Sequence, residues 1–176
     1  MMKKLVIAAA VASCFAMGAA NAADQGHGTV TFTGSIIDAP CSISPDTIDQ
    51  TVDLGQVSDS ALAANSNTGT SVPRNFQIKL ENCDTTTFKS VTSTFTGGEG
   101  STADHLGITG TASGASVALT DAAGTLIKLG EPTAQHQLQD GNNTLMFSAY
   151  LQGDGASATI VPGDFTSIAD FTLAYQ

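Results

Sequence analysis

The ten residues Arg-Asn-Phe-Gln-Ile-Lys-Leu-Glu-Asn-Cys, numbered 74 to 83, decide the fold class of this chain. Phe76, Ile78 and Leu80 alternate strictly with polar side chains. Because successive side chains of a β-strand point to opposite faces, this period of two predicts a strand with one buried and one exposed face. The chain is therefore expected to bury one face of this strand in a core.

The same alternation recurs along the chain, and turn-forming clusters separate the runs. The further runs cover residues 35–41, 50–57, 91–96, 116–120, 125–129, 144–151 and 165–175. Clear turn sequences lie at 121–124 and 140–143. Segment 58–71 is predicted to be a crossing loop with at most one helical turn at 61–64, and 97–114 an exposed loop. Many short strands without helical periodicity predict an all-β, antiparallel sandwich of the immunoglobulin type.

Residues 1–22 have the pattern of a secretory signal peptide. Lys3 and Lys4 precede an apolar run, and cleavage is expected after Ala22. The run is shorter than the roughly 20 apolar residues that a membrane-spanning helix needs. Removal of this segment leaves 154 of the 176 residues, enough chain for one domain with a core. We therefore expect an exported, single-domain protein.

The exported part of the chain is strongly acidic and keeps two cysteines. Four basic residues remain against sixteen acidic ones, a net charge of −12, which disfavours nucleic acid and anionic lipid as partners. Cys14 leaves with the signal peptide, so Cys41 and Cys83 remain as an even pair in an oxidising compartment. A disulfide is the direct interpretation, and metal binding by two isolated thiols is the weaker alternative.

Both ends of the exported part alternate like strands. The N-terminal arm, residues 23–34, carries Val30 and Phe32 on one face and threonines on the other. At the other end Phe171, Leu173 and Tyr175 alternate with polar or small residues. Two interpretations stay open at this point. The arm pairs within its own domain, or another chain completes a sandwich edge that would otherwise invite aggregation.

Several motifs together resemble one family. They are Gly-His-Gly-Thr-Val-Thr-Phe-Thr-Gly at 26–34, Ile-Ile-Asp-Ala-Pro-Cys-Ser-Ile at 36–43, Asp-Gln-Thr-Val-Asp-Leu-Gly-Gln at 49–56, Leu-Glu-Asn-Cys at 80–83 and Asp-Gly-Asn-Asn-Thr-Leu at 140–145. Gly163 lies fourteenth from the end and Tyr175 is penultimate. Over nearly the whole exported part, the chain resembles chaperone/usher pilins. The resemblance is to the major subunits of P pili and mannose-resistant Proteus-like fimbriae, and more distantly to type 1 pilin.

This resemblance implies an incomplete immunoglobulin-like domain, residues 35–176, that lacks its last strand and is completed by a strand from another chain. The implied donor-strand residues are Gly28, Val30, Phe32, Gly34 and Ile36. The implied residues of the groove edge, where a chaperone binds first, are Gly163, Phe171, Leu173 and Tyr175. Cys41 and Cys83 have a structural role in this interpretation.

The resemblance also implies partners and a location. The partners are identical subunits in a homopolymer, a periplasmic chaperone, an outer-membrane usher, minor pilins and a tip adhesin. The product is an extracellular fimbrium on the bacterial surface that supports cell adhesion. A minor adapter pilin or an adhesive tip subunit is the alternative within the same system. A tip adhesin usually carries a separate lectin domain, for which this chain has no room.

The sequence offers little for catalysis. His27, His105 and His136 are scattered, and neither HExxH nor GxSxG spacing occurs. We therefore predict no catalytic residue, no metal and no cofactor. The Asp-Gly-Asn-Asn sequence at 140–143 favours a hairpin turn over a weak calcium site. A secreted hydrolase, which would need a clustered acid, base and nucleophile, is the rival class.

Overall fold

The computed structural model describes residues 28–176, so the predicted signal peptide and residues 23–27 of the arm lie outside the described residues. Residues 28–36 and residues 37–176 belong to separate compact units. The second unit contains every described helix and strand. These are β1 (Ser42–Ile43), α1 (Pro45–Ile48), α2 (Asp59–Asn67), β2 (Arg74–Cys83), β3 (Ser90–Gly97), β4 (Leu106–Gly107), β5 (Thr109–Gly110), β6 (Ala115–Asp121), β7 (His136–Gln137), β8 (Gly141–Gly153), β9 (Phe165–Thr166) and β10 (Ala169–Tyr175). Across residues 28–176 no helix combines the length and hydropathy needed to cross a membrane.

One layer is a five-stranded antiparallel sheet with the order β1-β2-β8-β6-β4. At its centre β2 pairs with β8, with Ile78 opposite Leu145 and Phe76 opposite Phe147. Because opposite residues of an antiparallel pair point to the same face, the apolar positions of both strands meet on one side. The alternation in β2 and β8 thus predicted the buried face correctly, whereas β6 is buried on both faces from Ala115 to Thr120.

The second layer is a three-stranded sheet with the order β10-β3-β7. Its central strand β3 pairs with β10 over seven positions, from Ala169 opposite Gly97 to Tyr175 opposite Val91. A separate two-stranded ribbon, formed by β5 and β9, pairs Thr109 with Thr166. We call this pair of strands the ribbon.

Aromatic side chains join the two layers. Phe95 of β3 lies edge-on to Phe147 of β8, with ring centroids 5.0 Å apart, and edge-on to Phe76 of β2 at 6.2 Å. Such pairs contribute about 0.5–1.5 kcal/mol beyond their buried area. Ile78 and Leu80 are fully buried below them. The core therefore lies between the sheets, as a sandwich requires.

The predicted disulfide is confirmed. Cys41 and Cys83 are bonded, with their Cα atoms 4.1 Å apart, and both side chains are buried. The bond joins the residue before β1 to the last residue of β2. The Asp84 amide donates a hydrogen bond to the Pro40 carbonyl at 3.0 Å and closes the same junction.

Five details of the strand prediction were wrong. Residues 50–57 and 35–41 contain no strand, and 125–129 contributes only the isolated bridge of Leu126 to Thr120. The run at 165–175 is interrupted between β9 and β10. Segment 97–114, predicted to be an exposed loop, contains β4 and β5 and the buried Leu106. Alternation reports which side chains face an apolar surface and not which backbone has a hydrogen-bonded neighbour, so it overstates pairing.

The helical segment at 59–67 is longer than the single turn predicted. It is broken near its end, where Ala64 is extended and Asn65 and Ser66 have positive φ angles of 52° and 61°. Buried Leu62 anchors the first part to the core. The predicted crossing loop therefore begins with a short helix and continues with a turn that contains residues of left-handed backbone conformation.

Candidate assembly groove

A long apolar groove opens between the two sheets of residues 37–176. Its volume is about 1150 Å³. Its floor consists of buried or half-buried core side chains, among them Phe76, Phe95, Leu106, Ile108, Val117, Leu119, Leu151 and Phe171. Large apolar side chains on its rim are exposed, namely Ile48, Val161 and Ile168 at 50%, 43% and 72%. An open groove with an apolar floor and rim is a docking site for another apolar element.

One lip of the groove is β10. Within the described residues this strand pairs only with β3, so it is the edge of its sheet. Phe171 lines the groove and contacts Phe95, with ring centroids 6.4 Å apart. Leu173 and Tyr175 are half-buried and pack against the core without lining the groove. Burial raises the pKa of the Tyr175 phenol, which stays neutral.

The opposite lip is the segment of residues 50–57, which we call the wall segment. Leu54 and Val57 turn half-buried side chains toward the core, and the whole segment lines the groove. Gln50 ties its start to the sheet through a hydrogen bond from Nε2 to the Gln77 carbonyl at 3.2 Å. Within the described residues no backbone hydrogen bond joins 51–57 to either sheet. The wall segment is therefore a second unpaired backbone edge.

One strand of the ribbon, β9, lines the groove, and Gly163 lies in the loop that leads into this strand. A Cβ atom at position 163 would lie 2.5 Å from Thr111 Oγ1 and 2.7 Å from the Ala112 nitrogen. Only glycine therefore permits this approach of the two loops. Gly163 and Phe171 both line the groove, and Gly163 is not part of a strand.

The described part of the arm, with the residues that follow it, exposes a row of apolar side chains. Val30, Phe32 and Ile36 are 73%, 89% and 104% exposed. A Cβ atom on Gly28 or Gly34 would meet no other atom within 4 Å. Apolar side chains on alternate residues are the pattern of a strand that buries one face.

Sequence reasoning missed much of the groove floor and the wall segment's unpaired state. Ile108 and Ile160 line the groove from segments without periodicity, and nothing in their local sequence distinguishes them from loop residues. Buried His105, by contrast, makes only structural contacts. Its Nδ1 lies 2.8 Å from the Ala103 carbonyl and its Nε2 lies 3.3 Å from Gln152 Oε1.

Comparison with known proteins places the chain in a family. A family model described as fimbrial protein matches residues 30–176. The chain therefore belongs to the fimbrial protein family, as its motifs predicted. It is a structural subunit of a bacterial fimbria, and such subunits polymerise into extracellular pili on the cell surface.

Individual relatives agree with this assignment. Fimbria A protein of Serratia marcescens is 67% identical over 158 residues, which cover 89% of each chain. The major MR/P fimbria protein of Proteus mirabilis is 55% identical over 177 residues, 99% of each chain. A solved structure of a chaperone–usher pilus, described in terms of rod uncoiling, contains a subunit that is 35% identical to this chain. The two structures match with a TM-score of 0.76 over 86% of this chain and 97% of that subunit. The predicted incomplete immunoglobulin-like sandwich is confirmed as the fold.

Proposed function

We propose that the groove accepts the arm of a neighbouring copy, so that the fimbria grows by donation of a strand from each subunit to the next. One observation carries the proposal: a single chain combines an apolar groove open along a strand edge with an exposed, strand-like arm. Strand addition is a general mode of peptide recognition, and donor-strand complementation of pilins is one of its established examples.

Both lips of the groove favour a strand as the occupant. β10 on one side and the wall segment on the other each present backbone groups without a neighbour among the described residues. A strand placed between them would satisfy both edges, and buried backbone groups require such partners. Main-chain hydrogen bonds would supply affinity that does not depend on sequence.

The side chains of the arm would fix the register in which the arm pairs with the edges of the groove. Val30, Phe32 and Ile36 would enter the apolar floor, and each contributes about 1.5–3 kcal/mol when fully buried. Gly34 would let the donated backbone approach where a side chain would clash. A shift of one residue would turn every apolar side chain outward, so the alternation fixes the pairing.

The open groove needs a cover before polymerisation, because a long apolar strand edge invites aggregation. We assign this role to a periplasmic chaperone, which β10 would contact. At an outer-membrane usher, the arm of a neighbouring subunit would then replace the chaperone in the groove. Minor pilins and a tip adhesin would complete the fimbria. In this proposal the chain acts only as a structural subunit, without catalysis or a cofactor.

The experiment is polymerisation of purified, chaperone-bound protein with and without residues 23–33. Electron microscopy and gel electrophoresis of heated and unheated samples are the readouts. We expect fibres and heat-sensitive ladders from the intact chain and neither from the truncated one. Equal polymerisation of both chains would overturn the proposal, as would a chaperone-free monomer that gains no stability from an added donor peptide.

A pair of single substitutions provides the matched control. Phe32→Ser removes an apolar side chain assigned to the groove, whereas Thr31→Ser changes the neighbouring side chain on the opposite face. We expect polymerisation to be lost in the first variant and kept in the second. Equal effects would mean that the arm does not bind through alternate residues.

A further inference from the structure

The disulfide lies at the place where tension on the fimbria enters each subunit. This inference rests on the proposed function, in which a subunit is pulled by its own arm and holds the next subunit in its groove. Cys41 follows Ile36 by five residues and is the first covalent junction after the arm. Tension that arrives at Cys41 can continue along the chain or cross the disulfide to Cys83.

The route along the chain is short and is held to β2 by the pairing of β1 and by single hydrogen bonds. These run from the Ser44 amide to the Lys79 carbonyl at 2.9 Å, from the Lys79 amide to Thr47 Oγ1 at 3.2 Å, and from Gln50 Nε2 to the Gln77 carbonyl at 3.2 Å. β1 contains two residues, which pair with Glu81 and Leu80 of β2. Beyond it, α1 is a single turn, and the wall segment begins nine residues after Cys41. The wall segment has no backbone hydrogen bond to either sheet among the described residues. Tension on this route would pull directly on a lip of the groove.

The route across the disulfide reaches the most strongly held strand. Cys83 ends the ten-residue strand β2, which pairs with β8 at eight positions. Ile78 and Leu80 of this strand are fully buried in the core. The cysteines are 3% and 6% exposed, so the bond is also shielded from reductants in solution.

We propose that the Cys41–Cys83 disulfide diverts tension from the wall segment into β2, and that it thereby keeps the groove closed around the neighbour's arm when the fimbria is pulled. The bond closes a loop that contains the whole wall segment. As long as it is intact, pulling on the arm cannot extend residues 42–82. Without it, displacement of the wall segment would release the arm of the next subunit.

The test measures how long a bound arm survives under constant force. The protein is the full exported chain carrying Phe32→Ser, which keeps its own arm from competing. A synthetic peptide of residues 23–36 occupies the groove and is tethered to one bead. The second bead is attached through a bioorthogonal side chain at position 38, before the disulfide, or at position 84, after it. Each protein is measured oxidised and after reduction in denaturant and refolding, with mass spectrometry confirming the state of the cysteines.

Reduction is expected to shorten the lifetime at position 38 by about tenfold or more, which corresponds to ~1.4 kcal/mol of barrier. Release should follow an extra extension of roughly 30 Å, because about nine residues become extendable. At position 84 the lifetime should be unchanged, since tension there enters β2 directly. Equal shortening at both positions would mean that the bond only supports the fold, and no shortening at either would also overturn the proposal. Failure of the peptide to bind without force would instead contradict the proposed function.

Discussion

Gly163 lies where two loops cross at the end of the groove, and its lack of a side chain is required there. A Cβ atom would contact Thr111 Oγ1 and the backbone of Ala112 well inside normal distances. We predict that Gly163→Val lowers the free energy of unfolding by about 1–3 kcal/mol, as overpacking does, and slows uptake of a donor peptide. Thermal unfolding and peptide-binding rates measure the two effects.

The control for this prediction is Gly98→Ala. Gly98 has open space around its Cβ position and no positive φ angle. Its substitution should leave stability and peptide uptake close to those of the parent chain. If Gly163→Val behaved like this control, the close approach of the two loops would not hold the end of the groove.

Two aspartates beside the disulfide junction make stability depend on acid pH. Asp84 accepts hydrogen bonds from the Thr86 hydroxyl and amide, and Asp140 accepts them from the Thr85 hydroxyl and amide. These bonds lower the pKa of both carboxyl groups below the ordinary value of 3.8. Because the folded-state pKa is depressed, this stabilisation is present above the unfolded-state pKa and is lost as pH falls through the folded-state values.

We therefore predict that Asp140→Asn lowers the denaturant midpoint near neutral pH, and that this effect fades as pH falls through the folded-state pKa of the carboxyl group. Unfolding curves across the acid range measure the difference. Asp38→Asn is the control, since Asp38 makes no side-chain hydrogen bond among the described residues. A constant difference at all pH values would mean that the hydrogen bonds do not act through the ionised carboxylate.

At the scale of the element, β10 is a strand with one of its two edges unpaired among the described residues. Its seven residues pair with β3, and the other edge faces the groove. We predict that its groove-facing amide hydrogens exchange quickly in the free subunit and slowly in the fibre, because a donated strand would then bond to them. Amide hydrogen exchange followed by mass spectrometry measures this. β8, which has a neighbour on each side, is the internal reference.

The elements also show how far the sequence predicts this fold. Phe76, Ile78 and Leu80 gave the correct strand and the correct inner face, because burial on one side imposes a period of two. Val52 and Leu54 follow the same alternation in the wall segment, yet no strand forms there. The alternation of side chains indicates contact with an apolar surface. A strand also needs a hydrogen-bonded backbone partner, and the described residues supply none for the wall segment.

The groove itself could be predicted only in part. Gly163 and Phe171 came from a family resemblance, and both line it. Ile108 and Ile160 did not stand out, because single apolar residues in loops rich in glycine and serine have no periodicity. Their positions are set by the pairing of segments some fifty residues apart, such as Ser113 with Val161. Long-range pairing of this kind is not encoded in local pattern.

For the whole molecule, the groove and the arm describe a subunit that is incomplete alone. Apolar side chains on the rim of the groove and on the arm are exposed. A ligand that binds only the folded state stabilises it by mass action, by about 2.7 kcal/mol at 100 times its dissociation constant. Occupation of the groove should therefore be measurable as stability of the entire chain.

We predict that a peptide of residues 23–36 raises the unfolding temperature of the exported chain carrying Phe32→Ser by about 5–10 °C at saturation, given the usual shift for a domain of this size. Scanning calorimetry at rising peptide concentrations measures the shift. The matched peptide with Phe32→Ser should give little stabilisation, whereas the peptide with Thr31→Ser should act like the parent sequence. Equal shifts from all three peptides would indicate nonspecific binding to the apolar floor. If the stabilisation is lost with Phe32→Ser and kept with Thr31→Ser, the stability of one subunit depends on the apolar face of its neighbour's arm.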